Sequence, residues 1–266
     1  MSVAKYTAKD VATLRQMSGA GMLDCKNALE EADGDLDRAM QILRERGLAS
    51  ATKRADREAS EGAVAAVRSG DAAAIVELRC ETDFVAKSDE FVALADELAA
   101  LVAAKGEDAT GELEGEIERL RTTLKENISV GRVRRLVAES GQVVDTYVHR
   151  QNDRGVNAVV LVLDGGSEAL AHDIAVHIAF TKPTYLSRDE VPEDEVAAER
   201  ATLETISRNE GKPEAALPKI VEGRMTGWFK ERVLLEQGYV RDEKQTISAM
   251  LGSARIVAFA QVVIGA

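Results

Sequence analysis

Two stretches of this chain repeat one pattern: an alternating apolar run, a tight turn, a second apolar run and then a helix. In the first, strand-like residues 63–67 reach the turn Ser69-Gly70-Asp71 and return through 75–80. A helical stripe of Phe91, Leu94, Leu98 and Leu101 follows. In the second, residues 142–149 reach Asn152-Asp153-Arg154-Gly155 and return through 156–163, before a stripe of Leu170, Ile174 and Ile178 that stops at Pro183. Strands joined by so few residues pair antiparallel, because a parallel return needs a crossover of a dozen residues or more. The pattern therefore excludes a continuous parallel sheet and predicts an α+β fold. It also predicts that the two hairpins superpose, although few of their residues match.

Helical periodicity marks the rest of the chain. Residues 7–47 read as three short helices: Thr7 with Asp10 forms a capping pattern ahead of Val11, Leu14 and Met17, and Gly34 stops a second stripe. Asp35 caps a third helix that Gly47 ends. Residues 48–61 lack an apolar stripe and read as a linker. A Gly/Glu-rich loop spans 106–115, and a helix with Ile117, Leu120 and Leu124 comes after it. Beyond Pro183, two helical stretches flank Glu210-Gly211-Lys212-Pro213 as a helical hairpin at about 193–237. The closing residues 255–264 read as a strand apolar on both faces, hence buried. The expected organisation is a three-helix module at 1–50, a linker at 51–62, and a core of antiparallel sheets flanked by helices. That core divides into subdomains at 63–140 and 141–266, with the hairpin projecting from the second.

Composition narrows the function. Hydrophobic residues form 45% of the chain but aromatics only 4%, so the cores are aliphatic and each phenylalanine stands out. Lys and Arg number 34 against 46 acidic residues, a net charge of −12, which argues against direct nucleic-acid binding. The basic spots at Lys53-Arg54 and at Arg132, Arg134 and Arg135 read as solvated faces. No apolar leader or membrane-length run is evident, and Cys25 and Cys80, without CxxC spacing, read as reduced thiols of a cytoplasmic protein. His172 and His177 are five residues apart on one helix, so they fall on different faces and read as surface or interface residues rather than metal ligands. Gly19-x-Gly21 joins two helices, and Gly211-Lys212 runs into Pro213, so neither is a phosphate-binding motif. No catalytic residues, metal ligands or cofactor site emerge.

One segment is not explained by turn chemistry. The second unit passes from strand to helix through Asp164-Gly165-Gly166-Ser167, whereas the first uses CETDFVAKSDEF, residues 80–91. Phe84 and Val85 there are a surplus apolar pair. Either Asp83 caps a helical turn while Phe84 tucks into the core, or Phe84 is an exposed aromatic anchor beside a carboxylate.

The segments SGAGMLDCKNALEEADGDLDRAM, CETDFVAKSDEF, AVHIAFTKPTYL and KIVEGRM, in this order and spacing, resemble the bacterial elongation factor Ts family over nearly the whole chain. The resemblance implies that the N-terminal module is of the ubiquitin-associated type. It implies a guanine-nucleotide exchange factor, not an enzyme in its own right, that releases GDP from the GTPase elongation factor Tu. Thr82, Asp83, Phe84 and Val85 would then intrude beside the partner's magnesium site, which favours the exposed reading of Phe84. Met22 and Leu23 would dock on the GTPase domain, and Arg54 and His177 would also face the partner. Self-association through the helical hairpin stays open. The chain departs from many relatives in having Leu23 in place of a second Met and Pro218 early in the hairpin's second arm. It also ends at Ala266, where some relatives continue into a further helical module that grips the partner. Two rival readings are an adaptor that binds a protein through its three-helix module and a small enzyme using Cys80.

Overall fold

The computed structural model describes residues 5–54 and 56–265, and within that span the side chains at 48–53, Lys53 among them, are not described. Three helices come first: α1 (Ala8–Ser18), α2 (Met22–Glu31) and α3 (Leu36–Arg54). Thr7 and Asp10 cap α1 reciprocally, with the Thr7 N–H 2.7 Å from Asp10 Oδ2 and the Asp10 N–H 3.3 Å from Thr7 Oγ1. Leu14, Cys25, Ala28, Leu29, Ala39 and Leu43 close a small core of their own. Gly47 does not end the third helix, which runs on to Arg54 and takes in the start of the expected linker. Its missing side chain serves packing instead: a Cβ at Gly47 would collide with Thr122.

The core begins with β1 (Glu61–Ser69) and β2 (Ala72–Cys80), followed by the single turn α4 (Asp83–Ala86) and the long α5 (Asp89–Lys105). The expected loop at 106–115 is instead a 3-10 helix, Glu107–Leu113, running into α6 (Glu114–Leu124). Next comes β3 (Ser129–Val137), a strand that the sequence reading leaves unassigned. The second unit repeats the plan with β4 (Gln142–Gln151), β5 (Arg154–Asp164) and α7 (Glu168–Thr181). Asn152 and Asp153 make its turn with left-handed φ of 51° and 63°, the backbone a two-residue hairpin needs. Then follow α8 (Glu193–Asn209), α9 (Leu217–Arg232), a small ribbon of β6 (Gly238–Tyr239) and β7 (Asp242–Thr246), α10 (Ile247–Leu251) and β8 (Arg255–Val263). Residues of α8 and α9 share a cluster around Met225 and Trp228, with ion pairs Arg200–Glu222 (2.9 Å) and Arg224–Glu210 (2.6 Å).

Both main sheets are antiparallel and share a topology, β1-β2-β3 and β4-β5-β8, in which a later strand pairs with the second strand of the hairpin. The centre strands are apolar on both faces, which dictates the stacking. Alternate residues of β2 (Ala74, Val76, Leu78) pack under α5, and those of β5 (Val159, Leu161, Leu163) pack under α7. The opposite faces, with Val64, Ala73 and Ile75 from one sheet and Val144, Ala158, Val160 and Val162 from the other, form one shared core. The two halves therefore lie sheet against sheet with a helix outside each. Gly155 allows the approach, since a Cβ there would collide with the Val64 carbonyl.

Two expectations are corrected here. β8 is an edge strand, paired with β5 on one side among the described residues, and its faces are only partly covered: Ile256 and Val262 are buried while Val257 is exposed. Arg132 is no solvated cation. A bulge between Val76 and Leu78 brings it onto the buried Glu77, whose carboxylate accepts from the Arg132 N–H (2.9 Å), Nε (3.0 Å) and Nη2 (3.0 Å). Arg132 also donates to the Val263 carbonyl at 2.5 Å, tying the first sheet to the edge of the second. Burial pushes the Glu77 carboxyl up, but these bonds and that of Arg79 more than offset it and hold its pKa at about 2.

Candidate partner-binding site

The surplus apolar pair divides its work. Thr82, extended at φ −125° and ψ 152°, is the N-cap of α4, and its Oγ1 accepts the Val85 N–H at 3.4 Å. Thr82 therefore takes the capping role that the sequence reading offered to Asp83. Ala86 is buried and Val85 half-buried, both against the first core. The helical turn throws Phe84 the other way, leaving it 73% exposed. Lys87, one turn on, lies 4.4 Å from the Phe84 ring centre and 3.3 Å from Asp83 Oδ2. The segment is thus a helical turn anchored from beneath, presenting an aromatic ring beside a carboxylate.

The three residues after α6 hold this turn and the helical module together. Lys125, in the left-handed region at φ 60°, ends α6 and pairs with Asp24 of α2 at 3.0 Å. Glu126 accepts from the N–H groups of Glu81 (3.0 Å) and Thr82 (3.1 Å) and from the Thr82 hydroxyl (2.5 Å). The Asn127 N–H donates to Glu81 Oε1 at 2.7 Å. Met22 and Leu23, beside Asp24 at the start of α2, are 52% and 67% exposed, as an anchor on a partner requires. Arg54, by contrast, is half-buried and donates to the Arg121 carbonyl at 3.1 Å, so it docks the module on α6 rather than standing free.

His177 is corrected outright. It is fully buried on α7, with Nε2 3.0 Å from Gln237 Oε1 and Nδ1 accepting the Val240 N–H at 3.3 Å. Burial lowers its pKa, so the neutral ring is the stable form. The side chain is enclosed in the chain's own core and does not lie on the surface. His172 is exposed as expected, with Nδ1 3.0 Å from Asp145 Oδ2.

Phe180 and Met17 are among the exposed apolar residues that escape the sequence reading. Phe180, 78% exposed, lies two positions past the Ile178 end of its helical stripe, and that offset was the available signal. Met17 sits on the α1 stripe yet is 59% exposed, lining a groove of about 450 Å³ with Met40, Leu43 and Thr122.

Cys80 is buried, and burial, followed by the Glu126 carboxylate, pushes its thiol up to about 12, so it is no nucleophile at neutral pH. Cys25 is likewise a free, buried thiol. Among the described residues no cluster of three or more His, Cys, Asp or Glu side chains could hold a metal ion, and no helix is long and apolar enough to cross a membrane.

Residues 81–266 match the family model described as elongation factor TS. Relatives named elongation factor Ts are similar end to end. That of Clavibacter michiganensis is 47% identical, covering 99% of this chain and 100% of its own length. That of Renibacterium salmoninarum is 44% identical over the same shares. The Mycobacterium bovis relative is 46% identical over 96% of each chain.

Proposed function

The chain belongs to the elongation factor Ts family, a family of translation elongation factors, and from that premise we propose that it is a guanine-nucleotide exchange factor for elongation factor Tu. In this reading it binds the GDP-bound GTPase in the cytoplasm. The turn at residues 82–85 disturbs the partner's magnesium and phosphate site, and GDP leaves so that GTP can enter. The N-terminal helices act as a ubiquitin-associated-type module that docks through Met22 and Leu23, and α8 with α9 forms a projecting helical hairpin.

The observation that carries this reading is Phe84, held 73% exposed by a turn whose next two residues are locked into the core. Exposing a large aromatic ring is unfavourable in isolation and useful when a partner covers it. Exchange needs no acid, base or nucleophile. It needs a surface that prefers the nucleotide-free partner, and by linkage that preference weakens GDP binding by the same factor. Magnesium is the strongest local charge on a bound phosphate, so an apolar wedge that displaces it weakens the nucleotide's hold.

The test is release of a fluorescent GDP from elongation factor Tu upon mixing with this chain. Accelerated release supports exchange. Binding without acceleration makes the chain an adaptor that uses the exposed face of its helical module.

A further inference from the structure

We propose that Glu126 is a positioning residue for exchange, setting the pose of the Phe84 turn; this rests on the exchange reading above. Thr82, Asp83 and Phe84 are all exposed, so packing alone does little to fix them. The N–H groups of Glu81 and Thr82 lie just past the end of β2, and the Glu126 carboxylate takes both. Such charge-assisted bonds are roughly twice as strong as neutral ones.

The third bond sets the cap. The Thr82 hydroxyl has one proton, and by donating it to Glu126 the oxygen turns its lone pairs toward the Val85 N–H. Glu126 thereby holds the rotor that caps α4 and aims Phe84. The contact is reciprocal, since the Glu81 carboxylate accepts the Asn127 N–H. Lys125, the residue before Glu126, holds Asp24, which adjoins Leu23. Two consecutive residues therefore contact both surfaces that the exchange reading assigns to the partner.

Three measurements on the full chain test this. In hydrogen exchange of the free protein, Glu126→Ala should speed the Glu81, Thr82 and Val85 amides and leave those of β2 and α5 protected. In a titration of elongation factor Tu carrying fluorescent GDP, the maximal release rate should fall roughly tenfold, as expected for about 1.4 kcal/mol out of a charged hydrogen-bond set. The half-saturating concentration should stay within about twofold, because docking is left intact. The double variant with Phe84→Ala should be no slower than Phe84→Ala alone, since Glu126 acts through that ring. Glu126→Gln keeps one carbonyl acceptor and should lose less; it replaces the alanine variant if that variant does not fold. A wild-type maximal rate, or a loss confined to half-saturation and melting temperature, overturns the proposal while exchange itself stands. If the unmodified chain fails to accelerate release, the exchange reading and this role fall together, and the amide measurement still reports whether Glu126 holds the turn.

Discussion

Replacing Phe84 by alanine separates an exposed anchor from a core residue, and the structure sets the size of each effect. A fully buried aromatic covers about 150–250 Å², so at 73% exposure Phe84 covers roughly 50 Å². At about 25 cal/mol per Å² this is worth about 1 kcal/mol, and the Lys87 contact adds about 0.5 kcal/mol at such an open site. Phe91, fully buried on the core face of α5, is the internal control: its alanine variant should lose about 3–5 kcal/mol. At about 2–4 °C per kcal/mol for a chain of this size, Phe84→Ala should melt only a few degrees low, with Phe91→Ala well below it. Exchange should respond in the opposite order. An aromatic at the centre of an interface contributes 2 kcal/mol or more, so stimulated GDP release should slow by about 30-fold or more in Phe84→Ala. The assays are a thermal melt and stopped-flow release of fluorescent GDP from elongation factor Tu. If Phe84→Ala melts as low as Phe91→Ala while its folded fraction exchanges normally, the ring is a packing residue and the reasoning fails.

Other perturbations follow from the same structure. The Glu77 carboxyl has a folded pKa of about 2 against an ordinary 4.5. Its stabilisation is thus present above pH 4.5 and drains as pH falls toward 2, so urea midpoints from about pH 6 to about pH 3 should fall less steeply in Glu77→Gln than in the wild type. Gly155→Ala should destabilise by about 1–3 kcal/mol or more, because the obstructing atom is the backbone carbonyl of Val64, whereas Gly223→Ala, in open space on α9, should gain about 0.5–1 kcal/mol; equilibrium unfolding of both variants checks the pair. His177→Ala should cost about 2–4 kcal/mol by opening a void and stranding the Val240 N–H, and a melt with the release assay should show a low midpoint with unchanged half-saturation.

Much of this architecture is written in local pattern. The two hairpins, the helices behind them and the capped start of α1 follow from alternation, turn residues and 3.6-residue periodicity, all of which act over a few neighbours. Phe84 was legible for a related reason, since a connection that could have been Asp-Gly-Gly spent a phenylalanine. β3 was not legible. Its arginines break the apolar alternation, and the partner that makes Arg132 affordable, Glu77, arrives only across the sheet. Gly47 misled in the same way: in sequence it marks a helix end, and in space it is the gap through which Thr122 packs.

The division follows from the range of the forces. The sequence by itself determined the two hairpins and most of the helices, that the hairpin strands pair antiparallel, and that one connection carries an apolar residue its turn does not need. Only the tertiary structure decided that the two sheets stack into one core, that His177 is enclosed and Phe180 left out, and that Glu126 reaches Thr82. Backbone propensity and turn geometry are settled between near neighbours. Burial of a side chain and the pairing of a carboxylate depend on which distant segment closes over it, and no local pattern contains that partner.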